Sequence, residues 1–185
     1  MKRLEVVVTG SVSEQMRLLA RVILTFASAA IAVMWIYALF FASKEAVNKI
    51  GDIEWTQRAE QRCLAAEQER INLADYRLIT EPGTGGLTER AALVDKATDS
   101  LERMIDDLQS DVPSDEKGRA IIPLWLADYR TYISDRRAYT TNLRAGDNSP
   151  FSESTFEGLP LAERLATFAG DNRMPSCAPP IDLSV

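Results

Sequence analysis

The chain has 185 residues, 27 acidic against 21 basic side chains, two cysteines and no histidine. An acidic balance argues against nucleic acid, whose phosphates demand a basic surface. The missing histidine removes the usual proton shuttle at neutral pH, the Ser-His-Asp and Cys-His arrangements and the commonest transition-metal ligand, so no enzyme and no cofactor is expected.

The first element in chain order is the uncharged run Val22 to Ala42. At about 1.5 Å per residue it covers a bilayer's roughly 30 Å hydrocarbon core, which predicts a single transmembrane helix over 22–42. Lys2, Arg3, Arg17 and Arg21 precede it against only Glu5 and Glu14. Positive charge marks the cytoplasmic side, so residues 1–21 read as a cytoplasmic head and the rest as extracytoplasmic, placing the protein in the cell membrane. Ala27-Ser28-Ala29 has the chemistry of a cleavage site, but the apolar run continues well past it. An uncleaved signal anchor is therefore expected rather than a removed signal peptide. Ser28 with Ala32, and Ala38 with Ala42, fall at small-xxx-small spacing, a candidate contact face within the membrane.

Residues 43–52 read as a juxtamembrane segment and 53–185 as one helical domain. From Ser43 onward there are 17 basic and 25 acidic side chains, a formal charge of −8. Such a surface is ill suited to anionic lipid as well as to nucleic acid. Both cysteines, Cys63 and Cys177, lie in this portion. An even count in an oxidising compartment favours one structural disulfide over a reactive thiol pair, for which neither a C-x-x-C spacing nor a histidine is present.

Gly51 is placed to end the anchor helix and Asp52 to cap the next. Apolar or small residues recur at Ala59, Cys63, Ala66 and Leu73, flanked by Leu64, Ile71 and Leu78, and this helix should stop near Glu81. Pro82-Gly83-Thr84-Gly85-Gly86 then reads as the clearest turn in the chain. A second helix is expected over about 88–110, with Val94, Ala97, Leu101, Met104 and Leu108 as its seam. A third should cover about 119–144, stopped by Gly146, with Pro123 either in its first turn or bending it. Phe151 to Gly158 shows no period. A short helix follows over about 161–169, and the tail from Met174 to Pro180 is too rich in proline for another. The expected fold is thus all-α: one transmembrane helix, then an antiparallel bundle of three long helices and a short one with an extended tail.

Two groupings could carry chemistry. Asp106, Asp107, Asp111, Asp115 and Glu116 lack the spacing and central glycine of an EF-type calcium loop, so a solvated helix end is expected and no metal. Trp125, Tyr129, Tyr132 and Tyr139, with Arg136 beside them, recur along one helix face. They read as bundle core, or alternatively as a face for a small ligand or a partner helix, for which Trp125, Tyr129, Tyr132 and Arg136 are the candidates. Trp55 suits either a cap on the bundle or a contact with lipid headgroups.

Three stretches carry a resemblance: Glu54-Trp55-Thr56-Gln57-Arg58-Ala59 with Cys63-Leu64-Ala65-Ala66, Trp125-Leu126-Ala127-Asp128-Tyr129-Arg130 with Asp135-Arg136, and Phe168-Ala169 with Asn172-Arg173-Met174-Pro175-Ser176-Cys177. Together the chain resembles uncharacterised exported or membrane-anchored helical proteins of actinobacteria. The resemblance implies a small helical domain with its early and late cysteines bridged, and no catalytic residues. The function expected is non-enzymatic: a single-pass protein whose exported domain binds another membrane or envelope protein, with homo-oligomers also open. The alternative is an extracytoplasmic small-molecule binding or sensing module.

Overall fold

The computed structural model describes residues 5–42, 45–73 and 84–183. Helix accounts for 74% of it and strand for 3%, so the fold is mostly helical. Its contacts divide the chain into two units, Met1–Glu45 and Ala46–Val185.

The first unit is one helix, α1, Glu5–Phe40. Within it Glu14–Phe40, 27 residues, is long and apolar enough to cross a membrane, and none of the span is buried. The helix begins well ahead of Val22 because no proline interrupts residues 5–21. It ends short of Ala42: the N–H groups of Phe41 and Ala42 both donate to the Tyr37 carbonyl, at 2.8 and 3.0 Å. Ser28 and Ala32 therefore share a helix face, whereas Ala38 lies in the last turn and Ala42 beyond it, so that second pair is not helical. Gly51 does not end this helix either.

The second unit starts at Ala46, inside the expected juxtamembrane segment. Ile50 is buried, and Asn172 grips the backbone around it. The Ile50 N–H donates to Asn172 Oδ1 at 2.9 Å, while Asn172 Nδ2 donates to the Asn48 carbonyl at 3.0 Å.

Helix α2, Ile53–Leu73, turns Trp55, Ala59, Cys63, Ala66 and Arg70 inward. Leu64 and Ile71 face out. The expected helix end near Glu81, Leu78, and the Pro82-Gly83 half of the turn lie outside the described residues. From Thr84 the chain is already helical, so Gly85 and Gly86 belong to the first turn of α3, Thr84–Gln109. Its seam, Val94, Ala97, Leu101, Met104 and Leu108, is buried throughout, as its spacing requires. Helix α4, Glu116–Arg144, shares its largest interface with α3. Pro123 stands inside α4 rather than in its first turn, on an exposed face. Gly146 stops the helix as expected, at φ 88°.

A two-residue hairpin follows, with β1 Thr155–Phe156 antiparallel to β2 Leu159–Pro160. Glu157 and Gly158 form its turn at φ 52° and 83°, the left-handed pair that such hairpins use. Helix α5, Leu161–Asp171, leads into a single 3-10 turn, Pro175–Cys177, where an extended tail was expected. One core joins α2, α3, α4, α5 and this turn. A smaller cluster of Ala91, Val94, Tyr139, Leu143 and Leu183 lies farther along α3 and α4.

The starts of α2 and α4 cap each other. Asp52 accepts from the Trp55 N–H at 2.8 Å and, with its other oxygen, from the Ser114 N–H and hydroxyl, both at 2.7 Å. Asp115 accepts from Gly118 N–H at 2.9 Å and from the N–H groups of Gly51 and Asp52, at 3.1 and 3.2 Å. Each carboxylate thus satisfies orphan donors of its own helix and of the other segment. Gly118 is needed there, because a Cβ would stand 2.6 Å from Asp115 Oδ1.

The Ser114 and Trp55 donors hold the Asp52 carboxyl at about 2, below its ordinary 3.8. A folded value below the unfolded one means stability that is fully present above about pH 4 and lost as pH falls towards 2. Asp52→Asn is therefore expected to flatten the acid limb of stability, read as a smaller drop in melting temperature between pH 5 and about pH 2.5. An unchanged limb would mean that the mutual capping carries no pH dependence.

Candidate functional site

Trp125, Tyr129, Tyr132, Arg136 and Tyr139 recur every three or four residues along α4, and all five are buried. They face inward because this stripe meets α3 on one side and α5 with the C-terminal tail on the other. Trp125 stacks on Phe168 at 4.9 Å between ring centroids and meets Tyr129 edge-on at 5.3 Å. Trp125, Tyr129, Tyr132 and Arg136, the candidate ligand face, therefore present no open surface within this unit.

Their polar atoms are engaged as well, and mostly with the tail. Trp125 Nε1 donates to the Leu165 carbonyl at 3.3 Å. The Tyr129 hydroxyl donates to the Cys177 carbonyl at 2.8 Å, and that of Tyr132 to the Pro180 carbonyl at 3.3 Å. Arg136, with a fully buried side chain, forms a two-pronged pair with Asp182, both arms at 2.7 Å, and its Nε donates to Thr98 Oγ1 at 3.0 Å. Burial drives the Tyr129 hydroxyl far above its ordinary pKa and raises Tyr132 too. Burial works against the Arg136 charge, but the Asp182 hydrogen bonds and charge outweigh it, and its pKa ends above the usual value.

Cys63 and Cys177 form the expected bond, with sulfurs 2.00 Å apart, across 114 residues of sequence. Both are fully buried, Cys63 on the inner stripe of α2. The bond ties α2 to the tail at the point where Tyr129 also holds it. The α4 face holds residues 177–182 by two hydroxyls and one ion pair, and Cys63 of α2 adds the covalent bond.

Arg70 belongs to the same neighbourhood without the same satisfaction. Its Nη1 is buried and has no hydrogen-bond partner among the described residues. Burial pulls its pKa below the usual arginine value, and Arg136 pushes in the same direction against the attraction of Asp182.

Of the acidic cluster, Asp106, Asp111 and Asp115 are engaged by the structure, while Asp107 and Glu116 stay exposed. Asp111 pairs with Arg58 and Arg62 at 2.9 and 3.0 Å, and its carbonyl accepts from Trp55 Nε1 at 2.7 Å. Trp55 is thus a fully buried cap on the helical core. Asp106 pairs with Arg130 at 3.1 Å, and Asp115 is the cap already described. Among the described residues no group of three or more Asp, Glu or Cys side chains is arranged to hold a metal ion. On the outer surface Arg137 reaches Asp95, Asp99 and Glu102, cross-linking α3 to α4.

Sequence reasoning missed Asp182, Thr98 and Asn172. The only available signal was indirect: an inward-pointing arginine at position 136 demands a carboxylate, and the tail supplies Asp182. Taken together, the fold defines a helical unit clasped by a disulfide and preceded by a separate apolar helix. Comparison with known proteins finds no matching family model, no matching curated protein and no matching solved structure. The resemblance to exported actinobacterial domains accordingly assigns no family.

Proposed function

We propose that the chain is a non-enzymatic, single-pass membrane protein. In this reading α1 is the anchor, the N-terminus is cytoplasmic, and the second unit is an antiparallel helical bundle outside the cytoplasm. The bundle binds another membrane or envelope protein as an accessory subunit. The observation that carries the proposal is the exposed apolar length of α1 joined to a unit closed by a buried disulfide. A helix of this kind needs lipid or another protein around it, and disulfides persist where surroundings oxidise. The excess of Lys and Arg ahead of the span supports the orientation. A small-molecule module on the Trp125–Arg136 face draws no support from side chains that are buried and engaged with the tail.

Extraction in a mild detergent, affinity purification and mass spectrometry test this. One membrane protein recovered in stoichiometric amount is the expected result. A monomer, with or without a bound small molecule, would refute the accessory role. Thiol alkylation in intact cells adds a check on topology, since free thiols at Cys63 and Cys177 would contradict export.

A further inference from the structure

One end of the second unit gathers the starts of α2 and α4, the connector before α4 and the end of α5. Asp52 and Asp115 cap the two helix starts against each other, and Trp55 Nε1 donates to the Asp111 carbonyl, so residues 111–114 lie beside the start of α2. Asn48 and Ile50 are held by Asp171 and Asn172, where α5 ends. Three aliphatic side chains on these hydrogen-bonded segments are left open to solvent: Val47 is 87% exposed, Val112 70% and Ile53 65%. Trp55 is fully buried two residues from Ile53, so this end offers its aliphatic residues and keeps its tryptophan inside. A lone exposed valine needs no explanation, but three such side chains on abutting segments invite a covering surface.

Chain length says what that surface is. Trp35, Tyr37, Phe40 and Phe41 stand exposed around the end of α1, with Tyr37 stacked on Phe41. Aromatic rings in this position collect where hydrocarbon gives way to headgroups. Val47 is six residues beyond Phe41, which is at most about 21 Å of fully extended chain. A headgroup layer is itself roughly 5–7 Å deep on each side, so Val47 is never far from it. Charge permits the approach. Asp52 and Asp115 are occupied by backbone N–H groups, and Asp111 is paired with Arg58 and Arg62. In the first turns of α2 and α4 the exposed Glu54 and Glu116 are matched by Lys117 and Arg119. Little of the second unit's acidic excess is therefore carried at this end.

We propose that this end of the second unit rests in the headgroup layer of the bilayer that α1 spans, with Val47, Ile53 and Val112 as its apolar contacts. The occupant is lipid, met through its apolar boundary and not through its charge. The inference rests on the anchor reading above and adds a seat for the domain on the same membrane. Three aliphatic side chains would hold a free domain only weakly. Tethered by α1, they meet lipid at a high effective concentration, and a small gain in free energy is enough to keep them there.

Single nitroxide labels test this on the full chain, one copy per nanodisc of neutral phosphatidylcholine. Both native cysteines are tied up in the buried disulfide, so Val47→Cys, Ile53→Cys and Val112→Cys each take one label. Ile71→Cys is the aqueous reference, an exposed site on α2 eighteen residues from Ile53, about 27 Å along the axis. Ile31→Cys, inside the apolar span of α1, is the hydrocarbon reference. Collisions of each label with oxygen, which concentrates in lipid, are compared with those of a water-soluble nickel chelate. The oxygen-to-nickel ratio at 47, 53 and 112 is expected to exceed that at Ile71 by at least about threefold. Adding Val47→Asp and Val112→Asp to the Ile53→Cys chain should bring the Ile53 label back to the Ile71 ratio. Ratios equal to that at Ile71 would overturn the inference, as would an Ile53 label indifferent to the two aspartates. Labels shielded from both reagents would overturn it too, since protein and not lipid would then cover this end. The anchor reading fails separately. An aqueous Ile31 label removes the anchor and the inference together, whereas a hydrocarbon Ile31 label with aqueous labels at 47, 53 and 112 removes only the inference.

Discussion

A chain carrying Cys63→Ser and Cys177→Ser is expected to be less stable by roughly 4–5 kcal/mol in its second unit. The bond closes 114 residues, and in the chain-entropy model a loop of that length restricts the unfolded ensemble by about this amount. Burial adds a kinetic expectation. Both sulfurs are inaccessible, so a thiol reductant should cut the bond no faster than the tail lets go. Denaturant unfolding of the full chain, followed through Trp55 and Trp125, reads the first quantity, and the rate of thiol appearance reads the second. A loss below about 1 kcal/mol would mean that the noncovalent contacts of the tail already supply the constraint, and rapid native-state reduction would mean that the clasp opens on its own.

The parts of this fold that were legible in the sequence are those written in short-range periodicity. The seam Val94–Leu108 alternates by three and four over four turns, and nothing but a helix buries such a series on one side. Asp52 before an apolar run, and Gly146 after one, marked their helix ends by the same local logic. The hairpin at Thr155–Pro160 was illegible because two residues per strand are too few for any alternation to show. The glycines at 85 and 86 misled, since a first helical turn tolerates residues that a helix interior does not. The candidate face on α4 was visible as a stripe, but which side of it faced water was not. That depended on the tail, and the tail is placed by Cys177 and Asp182, far away in sequence.

The Arg136–Asp182 pair gives an expectation whose sign of asymmetry matters more than its size. Arg136 has no exposed side-chain surface, whereas that of Asp182 is 35% exposed. Removing the acid strands a buried guanidinium, so Asp182→Ala is expected to cost about 3–5 kcal/mol, or as much as it takes to peel residues 178–183 away and let water in. Removing the base leaves only a carboxylate that water can already reach, and methionine keeps most of the apolar stem packed. Arg136→Met should therefore cost less, about 1–3 kcal/mol, with Thr98 losing its donor. Adding Asp182→Ala to Arg136→Met should then cost little more, since the stranded charge is gone. Arg70 supplies the opposite case inside the same core. Its Nη1 is buried with no partner among the described residues, so Arg70→Met removes a desolvated charge and no hydrogen bond at that atom. Stability after that change is expected to stay level or rise by about 1 kcal/mol. Denaturation midpoints for the four variants decide the matter. If Arg136→Met proves worse than Asp182→Ala, the pair is held by the packing of the arginine and not by its charge. A large loss at Arg70 would mean that its guanidinium anchors structure through its other nitrogens.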